Sequence, residues 1–385
     1  MSNSNIIIYR DSLLPISETF IQQQTLRLKK FNPYYVGYKK VKNGLSLPEK
    51  QMIVNSKDTN PKNKISEVLQ KKWGWNPFLV SRMKKVNPSL IHAHFGPDGL
   101  IASSFAKKLN IPLLVTFHGF DATIKREELM KQAFNTRLYA SNLDQLIKSG
   151  TLFIAVSDFI KEKLIQKGFP KEKIITHYVG INLDLLQPNE KIKRENTILF
   201  VGRLVKNKGC DHLLRAFREM NDAHPNVNLE IVGDGPEKNH LQTLASSLNI
   251  KNVCFKGKLP YEEVIARMNA AKIFCVPSIE VESGASEGFG MVFAEANAMG
   301  LPVVSYKTGG IPEAIQHGKS GLLSTPGEWK DLGDSMNRLL SDEQLWHEYS
   351  VNGISRVQEL FDMDKQTEKL EKIYENVLSH SEHTH

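Results

Sequence analysis

The stretch Asn189-Glu-Lys-Ile-Lys-Arg-Glu-Asn-Thr-Ile-Leu-Phe-Val-Gly-Arg203 decides the fold. A polar segment ends at Asn196, and the run over 197–201 then reads as a strand that delivers a glycine and a cation at its C-terminal end. The same rhythm, apolar run then glycine or polar turn then amphipathic stretch, occurs on both sides of this joint. Upstream, strands at 6–9, 90–94, 113–117, 152–156 and 174–177 alternate with helices at 18–30, at 99–109 and up to Lys167, the last capped by Ser157-Asp158. Downstream, strands at 197–201, 228–232, 253–256, 273–276, 302–305 and from 321 alternate with helices at 210–220, 240–248, 261–269 and 311–315. Residues 329–379 read as helical, with breaks near Ser341 and Gly353.

Strands alternating with helices at this spacing predict parallel sheets covered on both faces. Two such runs joined by a polar segment near 181–196 predict an α/β protein of two doubly wound, Rossmann-like domains facing across a cleft. The expected domains are 1–180 and 181–364. Ligands in this architecture bind at the C-terminal ends of strands. Those ends here carry His94-Phe-Gly, His118-Gly, Gly202-Arg203, Gly233-Asp-Gly and Pro277-Ser278.

The 385 residues are 41% hydrophobic and 24% charged, enough for two cores. Nothing resembles a signal peptide, because Ile6-Ile7-Ile8 is short and runs into Arg10 and Asp11. No run reaches the length of a membrane span. Cys210, Cys254 and Cys275 are isolated and read as small buried hydrophobes in a reducing cytoplasm. The net charge of +8 is uneven: residues 1–90 carry +11 and the remainder −3. Lys39, Lys40, Lys42, Lys62, Lys64, Lys71, Lys72, Lys84 and Lys85 concentrate it. Such a field suits an anionic membrane leaflet or a lipid pyrophosphate, and a solvated lysine face would carry the same charge. Nucleic acid is not expected, since no recognised module accompanies the charge.

The candidate chemistry centres on Gly284-Ala-Ser-Glu-Gly-Phe-Gly-Met-Val-Phe-Ala-Glu295. Its glycines place Glu287 on a loop and Glu295 within the helix that follows. A loop carboxylate, free N–H groups at a helix start and a second carboxylate suit a phosphorylated, polyhydroxylated ligand; two solvated glutamates on a glycine-rich loop are the bland alternative. Arg203, after Gly202, and Lys208, before Gly209, are two cations able to hold a diphosphate and offset charge growing on it. No Gly-Lys-Ser/Thr follows, so a P-loop enzyme is unsupported. His118, in Val-Thr-Phe-His-Gly-Phe-Asp121, can exchange hydrogen bonds with a sugar hydroxyl, with Asp121 orienting it or capping the next helix. A core histidine with a satisfied ring is the competing account. His92 and His94 point the same way on one strand, yet no third ligand at convincing spacing supports a metal. Pro15-Ile-Ser-Glu-Thr-Phe20 reads as an N-cap leading into a helix; Ser17 and Thr19 could serve an acceptor or donor phosphate, but a capping role alone accounts for them.

These segments, in this order, resemble a retaining nucleotide-sugar glycosyltransferase of the GT-B fold, glycosyltransferase family 4. The resemblance spans nearly the whole chain and is most specific over 198–323, through Gly-Arg…Lys-Gly, Val-Gly-Asp-Gly-Pro and Pro-Ser…Glu-Gly-Phe-Gly…Glu-Ala. His-Ala-His-Phe-Gly at 92–96 and Thr-Phe-His-Gly-Phe-Asp at 116–121 are similar to bacterial exopolysaccharide or cell-surface polysaccharide transferases. The resemblance implies that Arg203 and Lys208 bind the donor pyrophosphate, Glu295 the ribose, and Glu287 the sugar hydroxyls near C3. Backbone of Gly288, Phe289, Gly290 and Met291 would line sugar and phosphates, and His118 would contact the sugar near its C6 hydroxyl. Gly233 and the stretch from Lys256 to Leu259 would border the nucleobase. It further implies no cofactor or metal, a nucleoside-diphosphate sugar as donor, and a glycan or polyprenyl-pyrophosphate-linked acceptor. The stretch 365–385 would form a helix returning to the first domain. The first β–α loop, Asp11-Ser-Leu-Leu-Pro-Ile-Ser-Glu-Thr19, lacks the phosphate-closing glycines of many relatives, so the acceptor side transfers less well. A nucleotide-sugar epimerase of the same fold and a non-catalytic nucleotide-sugar-binding protein are the alternatives. The expected location is cytoplasmic, with peripheral attachment to the inner face of the plasma membrane.

Overall fold

The computed structural model describes residues 4–56, 71 and 76–382; Lys62, Lys64 and Lys72 of the basic cluster lie outside them. The chain divides into two compact units, one of residues 1–180 with 363–385, the other of residues 181–362.

In the first unit the strands are β1 (Ser4–Tyr9), β2 (Ser12–Leu13), β3 (Phe31–Lys40), β4 (Met52–Ser56), β5 (Leu90–His94), β6 (Leu113–Phe117), β7 (Leu152–Ala155) and β8 (Ile174–Thr176). They pair in the order β2-β3-β1-β5-β6-β7-β8, with β4 also on β3, and every pairing is parallel. Ile6, Ile7, Ile8 and Tyr9 are all fully buried, because a central strand covered on both faces has no polar side. The strand order reverses between β1 and β5, so the residues after those strands, Arg10 and Phe95, flank the unit's switch point.

The second unit has β9 (Thr197–Val201), β10 (Asn228–Val232), β11 (Val253–Gly257), β12 (Ile273–Cys275), β13 (Val303–Tyr306) and β14 (Gly321–Ser324). They are parallel in the order β11-β10-β9-β12-β13-β14, which counted within the unit is the 3-2-1-4-5-6 order of a dinucleotide-binding fold. Its switch point lies between β9 and β12, at Gly202-Arg203 and Pro277-Ser278.

Several expectations need correction. The helix expected over 18–30 covers only Thr19–Leu26, and β3 begins at Phe31. Pro33 lies inside β3 opposite Ile6 and obscures it in sequence, although Tyr34, Tyr35 and Val36 are strand formers. Glu18, not Ser17, occupies the cap position, and no side chain caps this helix, because the Glu18 carboxylate is drawn to Arg10. Cys254 is exposed rather than buried, since β11 is an edge strand whose residues alternate outward. No break occurs at Gly353: one helix runs Glu343–Leu360, and the chain turns at Phe361 and Asp362. A Cβ at Gly353 would lie 3.0 Å from Asn297, so this glycine permits close helix packing.

The polar segment before β9 is part of the second unit. Arg194 donates to the carbonyls of Met268, Ala271 and Met299 at 2.6–3.0 Å and stacks 5.3 Å from the Trp346 ring. It thereby satisfies carbonyls near two helix ends that would otherwise lack partners. The helix Met363–Glu382 packs within the first unit. Its Glu371 accepts from the backbone N–H groups of Lys29 and Lys30 at 2.7 and 2.6 Å, and the buried Tyr374 hydroxyl lies 2.7 Å from His92 Nδ1. Burying the Tyr374 ring contributes roughly 2 kcal/mol. Arg194→Met keeps an apolar side chain against Trp346 but loses the cation over the ring and orphans three carbonyls, at about 1 kcal/mol each. Calorimetry should show the second unit melting roughly 6–12 °C lower; an unshifted transition would contradict this role.

Candidate active site

In the second unit the loops beyond the strand ends are held by backbone-to-backbone contact. Gly202 N–H donates to Val232 and Gly233 N–H to Gly257, which ties the turns after β9, β10 and β11 together. Gly233 has φ +144°, and a Cβ there would fall 1.8 Å from the Gly202 carbonyl oxygen. Gly209, at φ +62°, lies so close to the Pro277 carbonyl that a Cβ would approach it to 2.0 Å. No other residue fits either position. Lys208 is thereby carried to the switch point, where its ammonium is ion-paired with the Glu287 carboxylate. Ser278 Oγ lies 3.4 Å from the same carboxylate.

The Glu287 loop is braced from below by Lys307-Thr-Gly-Gly310. Gly310 N–H donates to the Glu287 carbonyl at 2.9 Å, and a Cβ on Gly309 or Gly310 would strike the carbonyl oxygens of Glu287 or Gly288. Thr308 Oγ1 holds the Ser278 carbonyl at 2.7 Å. Gly290, at φ +83°, caps the helix Met291–Ala298, whose first N–H groups have no intrahelical acceptor. Phe289 turns its ring inward against Phe361 at 5.0 Å, so only its backbone belongs to the loop surface. Glu295 lies on this helix, half-buried, and accepts from the Tyr261 hydroxyl at 3.0 Å. Burial raises the Glu295 pKa, and the Tyr261 hydrogen bond opposes the rise.

Arg203 is exposed, and its side chain has no hydrogen-bond partner or ion pair among the described residues. Lys208, Glu287 and the 288–291 backbone are brought together; Lys256 is not with them. It is exposed on β11, 3.9 Å from Glu230, while Leu259 is half-buried in the turn before Tyr261.

The first unit has its own cluster. Arg10 forms a bidentate pair with Glu18 at 2.9 and 2.6 Å, a second pair with Asp98, and a hydrogen bond to the His94 carbonyl. Its guanidinium lies 4.5 Å above the Phe95 ring. Burial alone would lower its pKa, but Asp98, Glu18 and Asp11 outweigh it and raise the value. Burial raises the Asp98 pKa, and the charge of Arg10 opposes the rise. Phe95 has φ +71°, an uncommon backbone state for a bulky residue, at the start of the helix Gly96–Leu109. A cavity of about 430 Å³ opens here, lined by Arg10, Asp11, Lys71, Phe95, Phe120 and Asn135. Lys71 is buried against Asp11 at 2.8 Å and so is no part of an open basic face.

His118 sits beside this cluster, its Nε2 at 3.0 Å from His94 Nδ1 and its ring against Phe20 and Phe95. Asp121 does not touch the imidazole. It accepts from the N–H groups of Gly96 and Gly119 and so orders the turn around His118. Among the described residues no group of side chains could hold a metal ion.

Residues 184–356 match the family model described as glycosyl transferases group 1, and residues 51–185 match that of glycosyltransferase family 4. The D-inositol 3-phosphate glycosyltransferase of Corynebacterium jeikeium is 31% identical over 325 residues, covering 77% of this chain and 74% of that protein. The chain belongs to glycosyltransferase family 4. Another relative is the amylovoran biosynthesis glycosyltransferase AmsK of Erwinia amylovora, 30% identical over 69% of this chain and 65% of that protein. Among solved structures, Anabaena HepE in complex with UDP and glucose superposes with a TM-score of 0.76 at 20% identity, covering 96% of this chain and 99% of that one. This last likeness is one of fold, the GT-B fold.

In this family-4 enzyme, sequence reading missed Arg10, Glu18, Asp98, Tyr261 and the Thr308-Gly-Gly turn. Arg10 was findable, because it follows the first strand of its unit as Arg203 follows the first strand of the other. The remaining residues act through contacts between distant segments, which spacing does not reveal.

Burial, aided by the charge of Arg10, lowers His118 to about 3; burial with His177 nearby lowers His92 to about 3; and burial lowers His177 to about 4. Each ring is neutral when folded but takes up a proton near pH 6.5 when unfolded. The unfolded state therefore binds more protons below about pH 6.5, and stability falls as pH drops toward the folded values. Each ring contributes up to about 1.4 kcal/mol per pH unit in that window. Calorimetry at pH 7.5 and 5.5 should show the first unit losing several degrees; equal melting at both would contradict neutral burial of these rings.

Proposed function

We propose that the protein is a retaining hexosyltransferase. It moves a hexosyl group from a nucleoside-diphosphate sugar to a hydroxyl of a glycan or polyprenyl-pyrophosphate-linked oligosaccharide, in surface polysaccharide biosynthesis. The observation that carries this reading is the Lys208–Glu287 pair at the switch point of the second unit, with Arg203, unpartnered among the described residues, just after β9. A lysine and a glutamate that neutralise each other in the free protein can exchange that bond for a diphosphate oxygen and a sugar hydroxyl. Two unit charges about 4 Å apart near a protein surface have a Coulomb energy of about 4 kcal/mol, from which the cost of desolvating both is subtracted. The two or more charges of a diphosphate, shared by Lys208, Arg203 and the N–H groups before Met291, compete well with it.

Glu287 then takes hydroxyls near the sugar's C3, the 288–291 backbone lines sugar and phosphates, and His118 meets the sugar near C6. Glu295 takes the ribose hydroxyls, with Tyr261 sharing the carboxylate. Gly233 and the stretch from Lys256 to Leu259 border the base. The bond from the anomeric carbon to the diphosphate oxygen breaks as Arg203, Lys208 and the helix N–H groups take up the charge released. An acceptor hydroxyl forms the new bond on the same face of the oxocarbenium-like sugar, and its proton passes to the leaving phosphate. No metal is required in this scheme, since two side-chain cations offset the leaving charge. The cavity at Arg10 and Asp11 supports an acceptor on the first unit: carboxylates accept from hydroxyls, and Phe95 and Phe120 offer ring faces. AmsK supports the polysaccharide setting through the pathway in its name.

The test is slow hydrolysis of a panel of UDP-, GDP-, ADP- and dTDP-sugars, with and without a chelator. Release of one nucleoside diphosphate that ignores the chelator is expected. Glu295→Ala should weaken donor binding about tenfold, one hydrogen bond to a charged group, while Arg203→Ala combined with Lys208→Ala should remove turnover. Full turnover in the double variant would remove the diphosphate assignment. Peripheral membrane attachment draws on the exposed Lys39, Lys40, Lys42, Lys84 and Lys85. Binding to anionic liposomes should be lost as salt rises, and binding that ignores salt, or none, would count against it.

A further inference from the structure

Three histidines form a ladder in the first unit. His92 and His94 are two residues apart on β5 and project to one face, with ring centroids 4.4 Å apart. His92 has both nitrogens engaged, Nδ1 with the Tyr374 hydroxyl and Nε2 with Thr116 Oγ1, each at 2.7 Å. His94 has one nitrogen engaged, Nδ1 with His118 Nε2 at 3.0 Å, and the two rings lie nearly parallel at 24°. The other nitrogen, His94 Nε2, is buried and has no partner among the described residues. His118 Nδ1 has no hydrogen-bond partner among the described residues.

A neutral imidazole has one donor and one acceptor nitrogen, and the partner of one decides the other. Two arrangements satisfy the contact between these rings. If His118 donated from Nε2, His94 would carry its own proton on Nε2, a buried N–H with nothing to bond. If His94 donates from Nδ1, its Nε2 is a bare lone pair. Among backbone groups, buried orphan donors are rarer than under-satisfied acceptors, and the same ordering applied to the His94 ring favours the second arrangement. We infer that His94 is a positioning residue: it donates Nδ1–H to His118 Nε2 and so fixes His118 as the Nδ1–H tautomer, a hydrogen-bond donor at its unpartnered nitrogen. The consequence for transfer rests on the proposed reading of His118 as facing the donor sugar. There, His118 gives a hydrogen bond to a sugar oxygen and does not accept one.

The test uses the full chain with ¹⁵N-labelled histidine and long-range proton–nitrogen correlation spectra, the His118 signals being assigned by their loss in His118→Gln. The wild type should show His118 protonated on Nδ1. His94→Phe should return it to Nε2–H, the form a free neutral imidazole favours. His94→Asn places an amide N–H where Nδ1–H stood and should keep the Nδ1–H form; it also serves if the Phe variant does not fold. Nε2–H in the wild type, or Nδ1–H persisting in a folded His94→Phe, overturns the inference. In donor-sugar hydrolysis, kcat/KM should fall about tenfold in His94→Phe, the scale of one hydrogen bond, and recover in His94→Asn. A switched tautomer with unchanged kcat/KM would keep the tautomer assignment and remove the sugar contact of His118. The two readings therefore fail separately.

Discussion

The geometry of the loops at the second unit's switch point depends on peptide backbone lying directly on peptide backbone. Gly233 on Gly202, Gly209 on Pro277, and Gly309 and Gly310 on the Glu287 loop leave no space for a single extra carbon. Side chains packed between these turns would hold them several ångströms apart and let them shift with every rotamer. With nothing between them, the turns after β9, β10, β12 and β13 behave as one piece. The pairing of Lys208 with Glu287 follows from this, because those residues come from turns locked together on either side of the switch point. Rigid positioning of this kind is what electrostatic stabilisation of a departing charge requires, since donors that must reorganise during reaction lose most of their value.

The two units place an arginine in the same position and treat it oppositely. Arg10 follows β1 and is fully engaged by Glu18, Asp98, the His94 carbonyl and the face of Phe95. Arg203 follows β9 and is exposed with its side chain unpartnered among the described residues. A buried cation surrounded by carboxylates is a fixture, because removing any one partner leaves a charge stranded in low dielectric. An exposed cation at a strand end keeps its charge available. The positive φ of Phe95 fits this division, since the backbone state is held by the Arg10 stack on one side and His118 on the other. One doubly wound plan therefore yields a set scaffold in one unit and an open electrostatic site in the other.

Much of the fold was legible in the sequence because the central strands are buried on both faces and read as unbroken apolar runs. Ile6–Tyr9 and the Ile198-Leu-Phe200 core of β9 announce themselves in this way. What escaped notice had a mixed pattern: β3 carries Pro33 and Gly37, and the break expected at Gly353 is a packing contact with Asn297. In the candidate site, Glu287, Lys208 and Glu295 were legible because glycines and a helix start surround them. Tyr261 was not, since its bond to Glu295 joins residues 34 positions apart. Nor was the bond between His94 and His118, which depends on two neighbouring parallel strands being in register, His94 beside Thr116.

The helix that carries Tyr374 and Glu371 has a consequence for how the chain is made. The first unit takes in residues on both sides of the second, so its histidine ladder and the N–H groups of Lys29 and Lys30 wait for segments more than 280 and 340 positions away. Residues 181–362 are contiguous, and every strand of their sheet is translated before Tyr374. On the ribosome, the later-encoded unit can therefore fold to completion while the earlier one still lacks its closing helix. Until Tyr374 is synthesised, His92 has only Thr116 for a partner and the groove meant for the helix is bare apolar surface. The first unit is thus begun first and completed last, and in its nascent form it is the part that chaperones would have reason to guard.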